Sequence, residues 1–383
     1  MKADEQDVNK LSQGLAVEVS RFSEAWRIFR KNRLALWGMV IFILFFVVAL
    51  SGLVLTYGDD PVLDPSKVRM PEKLLAPLST VNREMVAPED WPAFGVYLLG
   101  TDDLGRDVFA RMMQGAWVSL TVGFVAVGIA VAIGLVLGGI AGYYGMVKVR
   151  LVYLLCAAAL CAASVFLFSG QGRGAVYVSL GALFILGLSY ALLRHGEDSL
   201  LYRVLSFDTI GVDTLIMRFV DIMLCFPAFF LILTVVAILP PSIYNIMVVI
   251  GLTGWMGTTR FVRAEFLSLR EQDFVSAAKV MGISDTSIIF RHMIPNAIAP
   301  VLVSATIGIA SAILTEAGLS FLGFGVPPPH ATWGNILSDG KRFLFDAPWL
   351  TYIPGLSILV IVLSFNLFGE GLRDALNPKL RKR

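Results

Sequence analysis

Seven predominantly apolar stretches of twenty residues or more contain no Asp, Glu, Lys or Arg: residues 34–58, 112–147, 151–172, 174–193, 222–259, 293–315 and 347–369. A bilayer hydrocarbon core takes about 20 helical residues to cross. Inside it every backbone N–H and C=O must be satisfied within the protein, which for single segments means a helix. A water-soluble domain is about one-quarter charged, whereas charged residues are 16% of this chain. The sequence therefore reads as an all-α, polytopic membrane protein.

Two of the runs exceed one span. Residues 222–259 are interrupted by Pro240 and Pro241, which lack backbone donors and end a helix, so this run reads as two helices joined by a turn. Residues 112–147 have no such break and read as one long helix. Its Gly134, Gly138 and Gly142 recur every four residues, a spacing that admits a neighbouring helix closely. The expected total is about eight transmembrane helices.

Orientation follows from the basic residues, which are retained on the cytoplasmic side. Arg21, Arg27, Arg30, Lys31 and Arg33 precede the first run; Lys148, Arg150, Arg194 and Arg203 flank the third and fourth; Arg260, Arg263, Arg270, Lys279 and Arg291 follow the sixth helix; and Arg373, Lys379, Arg381, Lys382 and Arg383 end the chain. Both termini are thus expected in the cytoplasm. Residues 59–111 then lie outside, as a proline-rich and charged loop with short helices against the membrane. The first apolar run follows about 33 mostly polar residues, so it reads as a retained helix and not as a signal peptide.

Several site classes find no support in the residues. Cys156, Cys161 and Cys225 are odd in number and lack metal-ligand spacing, which leaves them as packing residues. His195, His292 and His330 lie in three separate segments and are assigned no metal. A net charge of +2 gives no reason to expect nucleic acid,. The neutral runs contain no paired catalytic groups, so an intramembrane hydrolase is disfavoured. No phosphate loop occurs, since Gly340-Lys341-Arg342 lacks both the spacing and the hydroxyl,. No cofactor is expected. Arg218 and Asp221, three apart on a helix, read as an ion pair; Glu316 reads as a helix-terminating and loop-packing residue ahead of an outer-gate role.

The most informative polar stretch is Ser276-Ala277-Ala278-Lys279-Val280-Met281-Gly282, followed by Ile288-Ile289-Phe290-Arg291-His292-Met293-Ile294-Pro295. Two alanines ahead of a glycine give a short helix with a close-packing face and a turn, and Pro295 marks the start of the next span. This stretch resembles the cytoplasmic "EAA" loop of binding-protein-dependent ABC importer permeases. Ala277, Ala278, Gly282 and Pro295 match that pattern, and Ser276 stands where the family often has Glu. Three more segments resemble the C-type permeases of the dipeptide, oligopeptide and nickel importer group: Leu99-Gly100-Thr101-Asp102-Asp103-Leu104-Gly105-Arg106-Asp107, Phe321-Leu322-Gly323-Phe324-Gly325, and Gly371-Leu372-Arg373-Asp374-Ala375-Leu376-Asn377-Pro378. Phe29-Arg30-Lys31-Asn32-Arg33 is similar to that group's N-terminal region.

The resemblance implies a permease subunit in a bacterial cytoplasmic membrane. Its partners would be a second homologous permease, two cytoplasmic ATPase subunits and an external solute-binding protein. The loop 260–295 would couple to the ATPases through Ser276, Ala277, Ala278, Lys279, Gly282, His292 and Pro295, with ATP hydrolysis on the partner chains and alternating access as the mechanism. Peptides are the expected cargo; nickel and other small solutes are moved by relatives in the group. A membrane sensor or scaffold is the rival reading, and it leaves the coupling-loop motif without a purpose.

One departure is large. The family passes from Gly-Tyr-Tyr-Gly directly to Val-Asp-Thr-Leu, whereas here Tyr143-Tyr144-Gly145 and Val212-Asp213-Thr214-Leu215 are separated by about 65 residues, enough for two further spans. The expected organisation is a cytoplasmic segment and first span over 1–58, an external loop over 59–111, the second span over 112–147, an inserted hairpin over 148–211, and the rest of a six-helix core over 212–383. Ala158, Ala159, Ala162 and Ala163 suit a closely packed peripheral hairpin.

Overall fold

The computed structural model describes residues 21–58, 60–150 and 208–376. The expected hairpin spans, Cys156, Cys161, Arg194, His195, Arg203 and the basic residues after Leu376 lie outside the described residues. The chain divides into two compact units, one of Met1–Ile133, Phe226–Thr258 and Pro295–Arg383, the other of Gly134–Cys225 and Thr259–Ile294.

The first unit opens with α1 (Arg21–Lys31) and α2 (Arg33–Thr56). Asn32 separates them and caps α2, its side chain accepting from the Ala35 N–H at 3.2 Å, which satisfies one of the orphan donors at a helix start. Helix α2 lies against α10 (Trp349–Leu376). A side chain at Gly38 would collide with Leu367 and the Phe368 backbone, and Ser364 Oγ donates to the Gly38 carbonyl at 2.7 Å. The opposite face of α2 exposes Val40, Ile43, Leu44, Val47, Leu50 and Val54. An apolar stripe of that length is stable only in lipid or under a partner helix.

Helix α3 (Val108–Tyr143) supplies residues to both units. At 1.5 Å per residue its 36 residues reach about 54 Å,, well beyond the hydrocarbon thickness, so it carries the chain past both interfaces. The segment before it forms two single 3₁₀ turns and a two-stranded ladder, β1 (Ser79–Thr80) with β2 (Val96–Tyr97). The segment is a loop as expected, its short helices being these single 3₁₀ turns, and the ladder is added to them. Buried Tyr97 donates to the Glu72 carboxylate, whose other oxygen accepts from the Asn82 N–H at 2.5 Å. Tertiary polar contacts hold the segment, and its irregular sequence carries no periodicity to announce them.

The run 222–259 is interrupted twice. Helix α4 (Val212–Leu224) and helix α5 (Ala228–Ile238) are bent by 77° about Cys225, Phe226 and Pro227. Pro227 supplies no N–H and disfavours a helical Phe226, so the single span expected there is a broken one. The second interruption falls at Leu239–Ser242, around the prolines that predicted it, before α6 (Ile243–Arg270). Helix α8 runs from Asp285 to Phe321 with a π-helical turn at Ile288–Met293. After that turn the regular α-helical run begins at Ile294, so Pro295 stands at its start as the sequence leads one to expect, and Pro300 lies within it.

Among the described residues, four helices (α2, α3, α8 and α10) are long and apolar enough to cross a membrane, or five if the bent pair α4–α5 is one span. Helix α6 is not among them, its second half carrying Arg260, Arg263, Glu265 and Arg270.

In the second unit α3 and α6 meet where the glycine spacing placed the contact. A Cβ at Gly138 would lie 2.6 Å from the Thr259 carbonyl oxygen, and one at Gly142 would lie 2.5 Å from Phe266 Cβ. Strands β3 (Lys148–Arg150) and β4 (Asp208–Gly211) pair antiparallel, Lys148 opposite Gly211.

Candidate functional site

Helix α7 (Asp273–Val280) fills the loop between α6 and α8. Its inward face is Val275 and Ala278, both fully buried, with Ile288 and Met293 of α8 buried in the same unit. Its end is fixed by Gly282, whose φ of +73° is in the left-handed region. There the Ile283 N–H reaches the Ala278 carbonyl at 3.1 Å and the Gly282 N–H reaches the Lys279 carbonyl at 3.0 Å. This pair of bonds is a Schellman motif, and only glycine takes that conformation without strain. The outward face carries Phe274, Ala277, Val280 and Met281, the last two 88% and 71% exposed. Exposed apolar side chains gathered at one tip are the kind of surface that interaction sites present.

Three residues of the loop grip the end of α3. The Tyr143 hydroxyl donates to Asp285 Oδ1 at 2.6 Å, the Lys279 ammonium lies 5.3 Å from the Tyr143 ring centroid, and an Arg270 N–H reaches the Tyr143 carbonyl at 3.5 Å. Asp213 of α4 takes a two-pronged bond from the Arg263 guanidinium, a geometry that fixes orientation as well as distance. Lys279 thus brings α7 against Tyr143 at the end of α3, while Arg263 and Asp213 join α6 to α4.

Of the residues singled out from sequence, Ser276, Ala277 and Lys279 are exposed on α7, Ala278 is buried beneath it, and Gly282 makes the turn. His292 lies in the π-helical turn and Pro295 in α8 beyond it. Tyr143, Arg270 and Asp285 are not recognisable as a group in the sequence, because Tyr143 and Asp285, 142 positions apart, come together only on folding. Asp221 pairs chiefly with Arg260, at 2.6 Å, while its expected partner Arg218 stands at 3.8 Å and is exposed. The reach across helices brings Arg260 closer than the neighbour on the same helix.

The Leu99–Asp107 motif forms a second polar centre, on the first unit. Asp102, fully buried, accepts from Arg106 at 2.7 Å and from Arg111 at 2.5 Å, and both arginines also reach Asp339 of α9 (Trp333–Gly340), at 3.3 and 3.0 Å. The Asp102, Asp103 and Asp339 carboxylates lie within 4.8 Å of one another, and the two guanidiniums already neutralise Asp102 and Asp339. Gly105, at φ +72°, turns with its α-carbon against the Arg69 carbonyl. Glu316 does not end its helix, which continues to Phe321. It is buried and accepts from Ser320 Oγ at 2.7 Å and Ser119 Oγ at 3.4 Å, a packing role.

Asp103 is the least well satisfied member of this polar centre. Its buried Oδ1 has no hydrogen-bond partner, and its pKa is pushed above 3.8 by desolvation first, then by the Asp102 and Asp339 charges. A carboxyl whose folded-state pKa is raised favours the fold below its unfolded pKa and disfavours it as pH rises through the folded value. Asp103→Asn is accordingly expected to raise the thermal midpoint at neutral pH, with the gain vanishing below about pH 3.8,. A midpoint difference that does not change between pH 3 and pH 7 would contradict this assignment.

Helices of lipid length define a polytopic membrane protein, and its loop between α6 and α8 raises an exposed apolar tip. Residues 211–382 match the family model of the binding-protein-dependent transport system inner membrane component, and residues 20–77 match that of the N-terminal TM domain of oligopeptide transport permease C. The chain is 35% identical over 363 residues to a dipeptide transport system permease protein of Alkalihalophilus pseudofirmus, covering 95% of this chain and 91% of that one. It is 34% identical over 361 residues to a dipeptide permease protein of Haemophilus influenzae, covering 94% and 95%, and 29% identical over 376 residues to an oligopeptide permease protein of Bacillus subtilis, covering 98% and 94%. The chain belongs to the family of binding-protein-dependent ABC importer permeases, in the C-type group of the dipeptide and oligopeptide systems.

Proposed function

We propose that this chain forms half of the translocation path of an ATP-driven peptide importer in a bacterial cytoplasmic membrane. The path is completed by a homologous permease, driven by two cytoplasmic ATPases and fed by an external binding protein. The observation that carries the reading is the exposed apolar tip of α7, held on a turn that only Gly282 permits and tied to α3 through Tyr143. Closure of an ATPase pair on that tip would displace α7 and with it the helices it grips. ATP can drive the change only by binding one conformation better than the other.

The membrane core of this reading is six helices, α2, α3, the broken pair α4–α5, α6, α8 and α10, with the 148–211 insertion adding a hairpin and both termini cytoplasmic. The peptide cargo is supported by the relatives, which are dipeptide and oligopeptide permeases by name. It is also supported by a cavity in the first unit lined by Ala126, Thr253, Thr258, Ser304, Ser311, Thr315 and further uncharged residues, without an ionisable side chain. Such a wall offers hydroxyls to a peptide backbone and no fixed charge to trap either terminus. A sensor or scaffold leaves the exposed tip unexplained.

The tagged subunit purified in mild detergent is expected to bring down a second permease and subunits that hydrolyse ATP. Reconstituted with its binding protein, the assembly is expected to take up short peptides. A chain that purifies alone across several detergents would refute the importer reading.

A further inference from the structure

We propose that α1 and the start of α2 form a binding surface for anionic phospholipid headgroups. Phe29 is buried against Ala35 and Ala375, with its ring 5.8 Å and edge-on to Phe368 of α10, and a side chain at Gly371 would collide with Ala35. This apolar seam fixes α1 to the end of the last span. The remaining surface of α1 exposes Arg27, Arg30 and Lys31, and Arg33 is exposed at the start of α2. Glu370 and Asp374 are carried by the facing end of α10, and among the described residues neither forms an ion pair with these four cations.

The depth of this surface in the membrane is set by α2. Only Asn32 separates α1 from α2, whose exposed Leu34, Trp37 and Val40 begin a face that requires lipid. Trp37 is 64% exposed one turn into the span, and Trp26 is 41% exposed on α1, stacked at 5.8 Å on Phe29. Indoles on the outside of a membrane protein mark the headgroup level. An amphipathic helix with aromatic residues and a basic face lies in the plane of that level. The four cations are thereby placed at the height of lipid phosphates and continuous with a lipid-covered helix. This charge complementarity and continuity select an anionic lipid over a protein groove. The inference rests on membrane embedding alone and does not depend on the transport reading.

The test compares the full-length protein with Arg27→Gln/Arg30→Gln/Lys31→Gln in nanodiscs of phosphatidylcholine containing a minor fraction of phosphatidylglycerol, and counts the lipids retained on detergent extraction by native mass spectrometry. The natural sequence is expected to keep phosphatidylglycerol in preference to phosphatidylcholine. The triple variant is expected to bind it about a hundredfold more weakly at low salt. Arg27→Lys/Arg30→Lys is expected to retain it, which separates loss of charge from loss of fold. Equal retention of the two lipids by the natural sequence, or unchanged retention by the triple variant, would overturn the proposal. Displacement of the lipid by millimolar inorganic phosphate would overturn it in favour of a free-anion site. Loss of copurifying subunits with unchanged lipid would overturn it in favour of a protein contact.

Discussion

Ala277→Glu combined with Val280→Glu is expected to lower peptide uptake per ATP hydrolysed at least about tenfold in the reconstituted assembly. Both side chains are on the exposed face of α7, while Val275 and Ala278 hold the buried face. The substitutions therefore leave the loop folded and the permease in the membrane. They introduce two carboxylates where a partner would have to cover apolar surface, and burying an unpaired charge costs several kcal/mol. Gly282 is a poorer choice for this experiment, because a side chain at φ +73° would strain the turn itself,. Tyr143→Phe removes the bond to Asp285 but keeps the ring beneath Lys279, so it is expected to give a smaller loss in the same assay. Normal uptake by the double glutamate variant would remove α7 from the coupling path.

Asp102→Ala is expected to destabilise the protein by about 3–5 kcal/mol, the cost of removing one partner from a buried charge network, read as a lowered midpoint in thermal or denaturant unfolding in detergent. The magnitude follows from the geometry. Asp102 accepts from both Arg106 and Arg111 and also from the Leu104 and Arg106 backbone N–H groups at 2.9 Å. Its loss leaves two guanidiniums to share Asp339, with Arg111 buried. Asp102→Asn keeps an acceptor and is expected to cost less. An Asp102→Ala loss below about 1 kcal/mol would mean that the network behaves as a solvated surface cluster.

Composition carries the class of the protein a long way. Long neutral runs can be satisfied only by lipid, so the membrane embedding is legible without coordinates, and so is the helix break around Pro240 and Pro241. Gly138 and Gly142 are legible as a close helix contact, although not the identity of the helix that meets them. Pro227 is also present to be read, but the 77° bend beside it is masked by a surrounding run that carries no charge. The segment before α3 is legible as a loop, but not its ladder, since two paired residues leave no period in the sequence.

Charge distribution and turn chemistry are properties of residues taken singly or a few at a time, and for that reason the membrane class, the family and the turn at Gly282 are all readable along the chain. The grip of Arg270, Lys279 and Asp285 on Tyr143, the addition of Arg260 to the Arg218–Asp221 pair, and the four-charge knot that joins Asp102 to Asp339 emerge in the folded molecule alone. Each depends on groups from separate helices arriving within a few ångströms, and at that range hydrogen bonds and ion pairs are set by packing, not by distance along the chain.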